Sequence, residues 1–150
     1  MFKAIALSIC LTSCAAMEAF TGKGPQILIE NIKIVAERNM NNNSATPLDL
    51  VLVYDEKLLG ILLGLTANDY FAKRQQLLKD NSGMMEAISF EMTPSQVLPD
   101  YQVKYLYPNP AGAILYANYS TPGEHRVKLA KQKDLLIKLG TLDFTIDPEK

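Results

Sequence analysis

Short apolar segments alternating with clusters of Pro, Gly, Asn and Ser dominate this sequence from Pro25 onward. They recur about every 8 to 12 residues, which suits strands joined by turns and is too short for a series of long helices. Seven or eight segments of this kind can be counted, with one helical segment among them. The pattern predicts a mainly β protein, a β-sandwich with one inserted amphipathic helix.

The predicted strands differ in how much apolar surface they carry. Residues 26–37 form an isoleucine-rich first strand. Residues 48–54 are apolar on both faces, so we expect this strand at the centre of a sheet. In a later strand, Tyr101, Val103, Tyr105 and Tyr107 alternate with other residues and are expected to share one face. The remaining predicted strands cover residues 85–92, 113–119, 125–129, 135–139 and 142–146.

The predicted helix begins at a capping motif. Thr66 is followed three positions later by Asp69, a pattern that opens helices, and Asn81-Ser82-Gly83 ends the amphipathic stretch. The preceding residues 58–65 contain two glycines and are ambiguous between a strand and a buried turn. Burial against the helix is the favoured interpretation of this apolar run, and a second contact surface is the alternative.

The amino terminus has the features of a bacterial export signal. Lys3 supplies a positive charge, residues 4–11 are apolar, and Leu11-Thr12-Ser13-Cys14 matches a lipobox. The apolar stretch is far shorter than the roughly 20 residues that span a bilayer. We therefore expect a signal peptide over 1–13, a lipidated tether over 14–25 and a β-sandwich domain over 26–150. The alternative is a chance cysteine in a cytosolic protein.

Lipidation at Cys14 would anchor the chain in a lipid bilayer, because three acyl chains hold a protein at a membrane far more firmly than one. Processing would also remove Cys10, leaving the mature chain without a free thiol or a disulfide. By similarity to enterobacterial lipoproteins, Ala15 in place of an aspartate favours the outer membrane, with the domain facing the periplasm.

The charge balance excludes a strongly basic nucleic-acid binder. The 15 basic and 16 acidic side chains give a net charge of −1. Tyrosines near a basic cluster could form a stacking platform for nucleic acid. Alternating tyrosines are more typical of a sandwich core with hydroxyls at its rim, and lysines on an edge strand discourage aggregation. That cluster comprises Arg126, Lys128, Lys131 and Lys133.

Motifs for catalysis and for metal or cofactor binding are absent from the sequence. The single histidine, His125, has no nucleophile motif to act with, and we expect it on the exposed surface of an edge strand. No Cys-x-x-Cys, His-x-x-x-His or Gly-rich phosphate motif occurs. We therefore expect a protein without catalytic residues, metal, cofactor or small-molecule substrate.

A polar segment separates the first two predicted strands and is too rich in asparagine to be expected in a core. Long polar loops between core strands are often functional, although a tolerated insertion is the alternative. We take this loop as the candidate binding region. Its residues are Arg38, Asn39, Met40, Asn41, Asn42, Asn43, Ser44, Ala45, Thr46 and Pro47.

The order of these features resembles the TssJ (SciN-like) lipoprotein family of bacterial type VI secretion systems. The resemblance rests on the lipobox, the tether, the isoleucine-rich strand and the asparagine-rich loop, followed by the apolar strand that ends at Tyr54. It continues in the aromatic pair Tyr70-Phe71 of the helix and in closing strands at 123–127 and 135–139. Relatives carry a Gly-Arg-Pro-like run where this chain has Ser44-Ala45-Thr46-Pro47.

The resemblance implies a transthyretin-like β-sandwich tethered to the outer membrane. It also implies a partner, the periplasmic domain of the inner-membrane protein TssM, bound through residues 38–47, with residues 39–44 as the most exposed contacts. A pilotin or assembly lipoprotein of another secretion or pilus system is an alternative. A periplasmic lipoprotein that binds a small ligand or peptidoglycan is another.

Overall fold

A computed structural model of the chain describes residues 29–148. The predicted signal peptide, Cys14, the tether and the start of the first predicted strand lie outside the described residues. Those that are described form eight strands in two four-stranded sheets, with two α-helices. This arrangement confirms the predicted mainly β sandwich.

The first sheet contains β1 (Asn31–Ala36), β4 (Val97–Gln102), β7 (Asp134–Leu139) and β8 (Phe144–Pro148). Its strand order is β4-β1-β7-β8. β1 runs parallel to β7 and antiparallel to β4, and β7 runs antiparallel to β8. The alternation in β1 buries every second residue, because one face of this sheet packs on the second sheet.

The second sheet contains β2 (Thr46–Val53), β3 (Met85–Met92), β5 (Gly112–Ala117) and β6 (Arg126–Leu129). Its order is β3-β2-β5-β6, and all neighbours are antiparallel. β5 is buried along its whole length and β2 along nearly all of it. The predicted central position of β2 is confirmed, since the sandwich core covers one of its faces and the helices cover the other.

Two apolar clusters hold these layers together. The cluster between the sheets includes Ile32, Ile34, Leu50, Leu115 and Ile137, all with no exposed surface. Burying a side chain of this size stabilises the fold by about 1.5–3 kcal/mol. The cluster between the second sheet and the helices is built from alternate residues of the same central strands and from the buried faces of the helices, among them Val51, Val53, Leu62, Tyr70, Ile114 and Tyr116.

The two helices are α1 (Glu56–Leu63) and α2 (Ala67–Asp80). The predicted capping motif of α2 is confirmed, because Thr66 Oγ1 accepts a hydrogen bond from the Asp69 amide at 3.1 Å. Helix α1 accounts for most of the apolar segment whose structure the sequence left open. Asp55 caps it by accepting a bond from the Leu58 amide at 2.8 Å. The predicted single helix is therefore joined by a second.

The predicted strand at 101–107 is misplaced, because Tyr101 and Gln102 lie in β4 but the residues after them do not. Pairing with β1 begins at Val97 and ends at Gln102, and residues 103–111 leave the sheet. Pro99 is tolerated there because β4 is an edge strand, and Pro108 and Pro110 disfavour continued pairing beyond it. The tyrosines of this segment consequently do not share one strand face.

The strand directions give the molecule two distinct ends. The distal end carries the connections β1–β2 (residues 37–45), α1–α2 (64–66), β5–β6 (118–125) and β7–β8 (140–143). At the proximal end, Ile29 leads into β1, and residues 81–84 and 103–111 lie nearby. The six residues of β1 span about 20 Å between the two ends. No helix within residues 29–148 is long and apolar enough to cross a membrane.

Candidate functional site

The predicted binding loop lies at the distal end, and it is less exposed than the sequence suggests. Arg38, Asn39 and residues 42–45 are exposed, whereas Met40 and Asn41 are buried. Thr46 and Pro47 belong to β2 rather than to the loop. The expectation that residues 39–44 are exposed is therefore wrong for two of them, because Met40 fills the apolar core and Asn41 has hydrogen-bond partners inside the protein.

Three consecutive asparagines in this loop adopt left-handed backbone angles. The φ values are 43° at Asn41, 53° at Asn42 and 63° at Asn43. Asparagine occupies this region more readily than other residues that carry a Cβ atom. The asparagine-rich composition thus serves a tight left-handed turn, in addition to making the loop polar.

Asn41 connects three distal loops. Its side-chain nitrogen donates to Thr46 Oγ1 at 2.9 Å, and its Oδ1 accepts from the Ser120 amide and hydroxyl, each at 2.8 Å. Its backbone amide donates to the Gly140 carbonyl at 3.1 Å. Both polar atoms of the buried amide side chain have partners, so the loop is fixed to the β5–β6 and β7–β8 connections.

A groove of about 670 Å³ opens beside Asn41, where these three loops meet. The β1–β2 loop forms one side with Ser44 and Ala45, and the β5–β6 connection forms another with Asn118 and Thr121. Thr66, at the start of α2, also lines it. Amide and hydroxyl groups in such a groove can donate and accept hydrogen bonds to the backbone of a bound peptide segment.

His125 lies at this groove and is not the exposed strand residue expected from the sequence. It precedes β6, is 7% exposed and has a φ of 42°. Nδ1 lies 3.0 Å from Asp143 Oδ1, and Nε2 lies 2.8 Å from the Thr121 carbonyl oxygen. The ring stacks on Tyr119 at 5.0 Å. Through these contacts the buried ring links the β5–β6 connection to the β7–β8 connection.

The neighbouring threonine, histidine and aspartate are not arranged for nucleophilic catalysis. The Thr121 hydroxyl donates to the Leu142 carbonyl at 2.9 Å, so its proton is directed away from the imidazole. Nε2 faces the Thr121 carbonyl oxygen, which can only accept a hydrogen bond. Nε2 must therefore be the donor of that bond. A general base needs a free lone pair toward the nucleophile. The contacts of His125 therefore serve to position the β5–β6 and β7–β8 connections relative to each other.

The basic cluster is partly paired with other groups. Arg126 Nε donates to the Leu65 carbonyl at 2.6 Å, and its guanidinium forms an ion pair with Glu124 at 2.9 Å. Lys133 pairs with Glu30 at 3.0 Å. Arg126 thus connects the edge strand β6 to the helix pair, which the sequence did not indicate. The predicted edge position of this strand is confirmed.

A buried acidic network lies under α2 and was missed by sequence reasoning. Asp49, in the middle of β2, is 1% exposed and accepts hydrogen bonds from Tyr70 at 2.7 Å and from Arg74. Burial, together with the neighbouring carboxylate, raises the pKa of Tyr70. The signal was an aspartate inside an otherwise apolar strand. Across residues 29–148, no group of three or more His, Cys, Asp or Glu side chains could hold a metal ion.

Solved structures share this fold. The type VI secretion system lipoprotein TssJ1 from Pseudomonas aeruginosa matches with a TM-score of 0.60 and 17% sequence identity, over 84% of this chain and 98% of that one. The fold is that of the TssJ lipoproteins. Lip from Serratia marcescens, a membrane-bound component of the type VI secretion system, matches with a TM-score of 0.55 and 11% identity, over 82% of this chain and 100% of that one.

The resemblance inferred from the sequence is confirmed at the level of the fold. No protein-family model matches this sequence, and no curated protein matches it either. The likeness to TssJ1 and Lip therefore lies in the arrangement of strands, at an identity too low to transfer individual site residues.

Proposed function

We propose that this chain is a lipoprotein of a type VI secretion system, anchored in the outer membrane by acylated Cys14 with its sandwich in the periplasm. Its partner is the periplasmic domain of a TssM-like inner-membrane subunit, bound without catalysis at the distal end. The fold shared with TssJ1 and Lip supports this assignment, because those proteins are described as a secretion-system lipoprotein and a membrane-bound component. The lipobox supports the anchor.

One observation carries the proposal, namely the opposition of the two ends. Ile29, where the described part of the chain begins, lies at the proximal end, whereas the candidate binding loop lies at the distal end. A protein held to a membrane by its amino terminus can therefore present this loop to a partner on the far side. Fixing the loop through Asn41 reduces the conformational entropy lost on binding.

The contact surface consists of the exposed part of the loop and the groove beside it. Residues 42–45 are exposed, and the groove adds amides and hydroxyls from the β5–β6 connection. Such a surface can form hydrogen bonds with a partner's backbone, and the exposed Leu142, at 61%, adds an apolar contact nearby. Of the ten predicted residues, six are thus exposed contacts, three are buried supports and Pro47 is half-buried.

The anchor is tested with two cysteine variants. We expect Cys14→Ala to leave the membrane fraction and to abolish secretion by a strain that lacks the wild-type copy, while remaining folded. Cys10→Ala is the matched control, because this cysteine lies within the predicted signal peptide, and it should behave as wild type. Full secretion by the Cys14→Ala strain would overturn the anchor.

The binding surface is tested with charged substitutions on exposed loop residues. Ser44→Arg combined with Ala45→Arg should abolish capture of the TssM-like periplasmic domain at an unchanged melting temperature, since both side chains are exposed and line the groove. Gln102→Arg, an exposed position at the end of β4, is the matched control. Capture that survives the double substitution would remove the loop from the proposal.

A further inference from the structure

An exposed apolar surface lies at the proximal end. Its members are Met84, Leu106 and Tyr107, which are 40%, 70% and 45% exposed, and we call them the proximal patch. The Tyr107 hydroxyl lies 4.0 Å from the position that a Cβ atom would take on Gly83, the neighbour of Met84. Leu106 and Tyr107 belong to the connection over 103–111, and this connection meets the one that contains Met84, so the three exposed side chains lie at the same end of the sandwich.

Hydrogen bonds hold the proximal patch in place. The Leu106 amide donates to Glu86 Oε1 at 3.1 Å, and the Tyr107 amide donates to the Tyr54 hydroxyl at 3.4 Å. The Tyr54 hydroxyl in turn donates to the Glu86 carboxylate. The Tyr54 and Tyr107 rings pack edge to face with centroids 5.4 Å apart. This exposed apolar surface is thus a built feature of the fold.

The same segment fixes the point where the amino-terminal polypeptide joins the sandwich. The Tyr105 hydroxyl accepts a hydrogen bond from the Ile29 amide at 2.7 Å and donates to the Ile29 carbonyl at 2.8 Å. Tyr105 is next to Leu106 in the chain, so Ile29 and the proximal patch are at the same end of the sandwich. The 15 peptide units from Cys14 to Ile29 reach at most about 50 Å, so Ile29 lies within this distance of any membrane that holds Cys14.

We propose that the proximal patch rests on the lipid bilayer that carries the acyl chains, and this inference depends on the proposed anchor at Cys14. Tyrosine favours the headgroup region of membranes, and the leucine and methionine side chains can enter the boundary of the acyl chains. A contact of three side chains is weak alone. The covalent anchor makes it intramolecular, so a high effective concentration compensates for the small area.

A protein partner is a poorer fit to the proximal patch than a bilayer. Stable protein interfaces bury about 800 Å² on each side, involving some 20–30 residues, whereas three large apolar side chains within residues 29–148 are exposed at this end. A bilayer assisted by an anchor requires no such area. Contact at this end also orients the distal end away from the membrane, where the candidate binding loop is accessible.

The chain contains no tryptophan, so the fluorescence of a single introduced tryptophan reports the surroundings of that position alone. We compare Leu106→Trp with the matched control Leu142→Trp, which replaces a leucine of similar exposure, 61%, at the distal end. Met84→Trp gives a second reporter in the proximal patch. The acylated full-length chains are reconstituted into vesicles of phosphatidylethanolamine and phosphatidylglycerol with brominated acyl chains, and flotation of the vesicles measures anchoring separately.

We expect Leu106→Trp and Met84→Trp to show a blue shift and a loss of fluorescence in these vesicles, because tryptophan at the headgroup level approaches the brominated chains. Leu142→Trp should show neither change. If the chains float with the vesicles but all three reporters behave alike, the bilayer contact is overturned while the anchor stands. If the chains do not float, the anchor fails and the inference fails with it.

A protein occupant is distinguished without vesicles. Leu106→Ser combined with Tyr107→Ser should capture the TssM-like periplasmic domain as well as wild type in detergent solution. Weakened capture at an unchanged melting temperature would assign the proximal patch to that protein and contradict contact with the bilayer.

Discussion

At the scale of single residues, the three asparagines of the distal loop share one backbone conformation but have different surroundings. Asn41 is buried and bonded to Thr46 and Ser120, whereas Asn43 is exposed. Glycine satisfies a left-handed backbone at both positions, so Asn→Gly substitutions isolate the contribution of each side chain. The pair therefore separates backbone preference from tertiary hydrogen bonding.

We expect Asn41→Gly to lower the free energy of unfolding by about 2–4 kcal/mol, since it leaves buried partners of the amide unsatisfied. Asn43→Gly should change it by less than about 0.5 kcal/mol. Urea denaturation of both variants measures the difference. Equal effects would mean that the side chain of Asn41 does not hold the distal loops together.

The same residues show why burial was predicted incorrectly here. A run of asparagines is polar by composition, and the sequence does not reveal that Asn41 meets Ser120, 79 positions away. His125 is a similar case, because its partner Asp143 belongs to a different connection. Side chains buried by contacts between distant loops carry no local periodic signal, so their burial could not be predicted.

At the scale of single elements, the attachment of α2 to β2 depends on a buried charge. Asp49 is held by Arg74 and Tyr70, and Arg74 also donates to the Ser89 hydroxyl. Removing one partner of a buried ion pair leaves an uncompensated charge, whereas replacing both by residues of similar shape is often neutral. The two outcomes differ enough to measure.

Arg74→Met alone should destabilise the protein by about 3 kcal/mol, and Asp49→Asn together with Arg74→Met should restore most of that loss. Chemical denaturation of the two variants beside wild type checks this, with helix content followed by circular dichroism. A double variant as unstable as the single one would show that the pair stabilises the fold through more than charge compensation.

The buried tyrosines make the fold sensitive to high pH. Burial raises the pKa of Tyr116, whose hydroxyl donates to the Leu62 carbonyl at 2.6 Å, to about 12. Burial also raises the pKa values of Tyr70 and Tyr119. In the unfolded chain a tyrosine releases its proton at about pH 10. Above that pH the native state therefore retains protons that the unfolded state has lost.

This stabilisation is complete below about pH 10 and is lost as the pH rises toward about 12. We expect the urea midpoint to fall steeply between about pH 9 and pH 11.5, and tyrosinate absorbance to appear together with unfolding. Tyr116→Phe should be less stable at neutral pH, because Leu62 loses its donor, but its midpoint should fall less with pH. Tyrosinate absorbance that precedes unfolding would contradict this account.

Elements whose signal is local could be predicted from the sequence. The cap at Thr66 and the two-sided apolar strand at 48–53 are of this kind. Helix α1 lacked such a signal, because Gly60 and Gly64 interrupt a run that is apolar at almost every position. The strand at 101–107 was misplaced because its alternating tyrosines imitate the pattern of a strand. In the structure the Tyr105 hydroxyl instead bonds to the backbone of Ile29.

At the scale of the whole molecule, one parallel pairing determines where the candidate site forms. β1 and β7 are about 100 residues apart in the chain and run side by side in the same direction, so the connections that follow them emerge at the same end. That pairing brings Asn41 close to Gly140, so the β1–β2 and β7–β8 connections meet at the distal end. Parallel pairing between distant strands leaves no trace in local sequence patterns, which is why the sandwich could be predicted but its groove could not.

The separation of the two ends makes a prediction about simultaneous binding. If the proximal end faces the bilayer and the distal end binds the partner, membrane attachment leaves the binding surface free. We therefore expect the affinity for the TssM-like periplasmic domain to be the same for acylated protein on vesicles as for Cys14→Ala protein in solution, within about a factor of two, or about 0.4 kcal/mol.

Titration of the labelled partner domain against both forms, at matched protein concentration and ionic strength, measures the two dissociation constants. Asn43→Arg is the control for a blocked distal surface, because it places a bulky charge on the exposed loop, and it should weaken both forms equally. Affinity reduced tenfold or more on vesicles alone would mean that the bilayer covers the distal end. The chain would then lie on the membrane with its loop inward, contrary to the orientation that the positions of Ile29 and Asn41 imply.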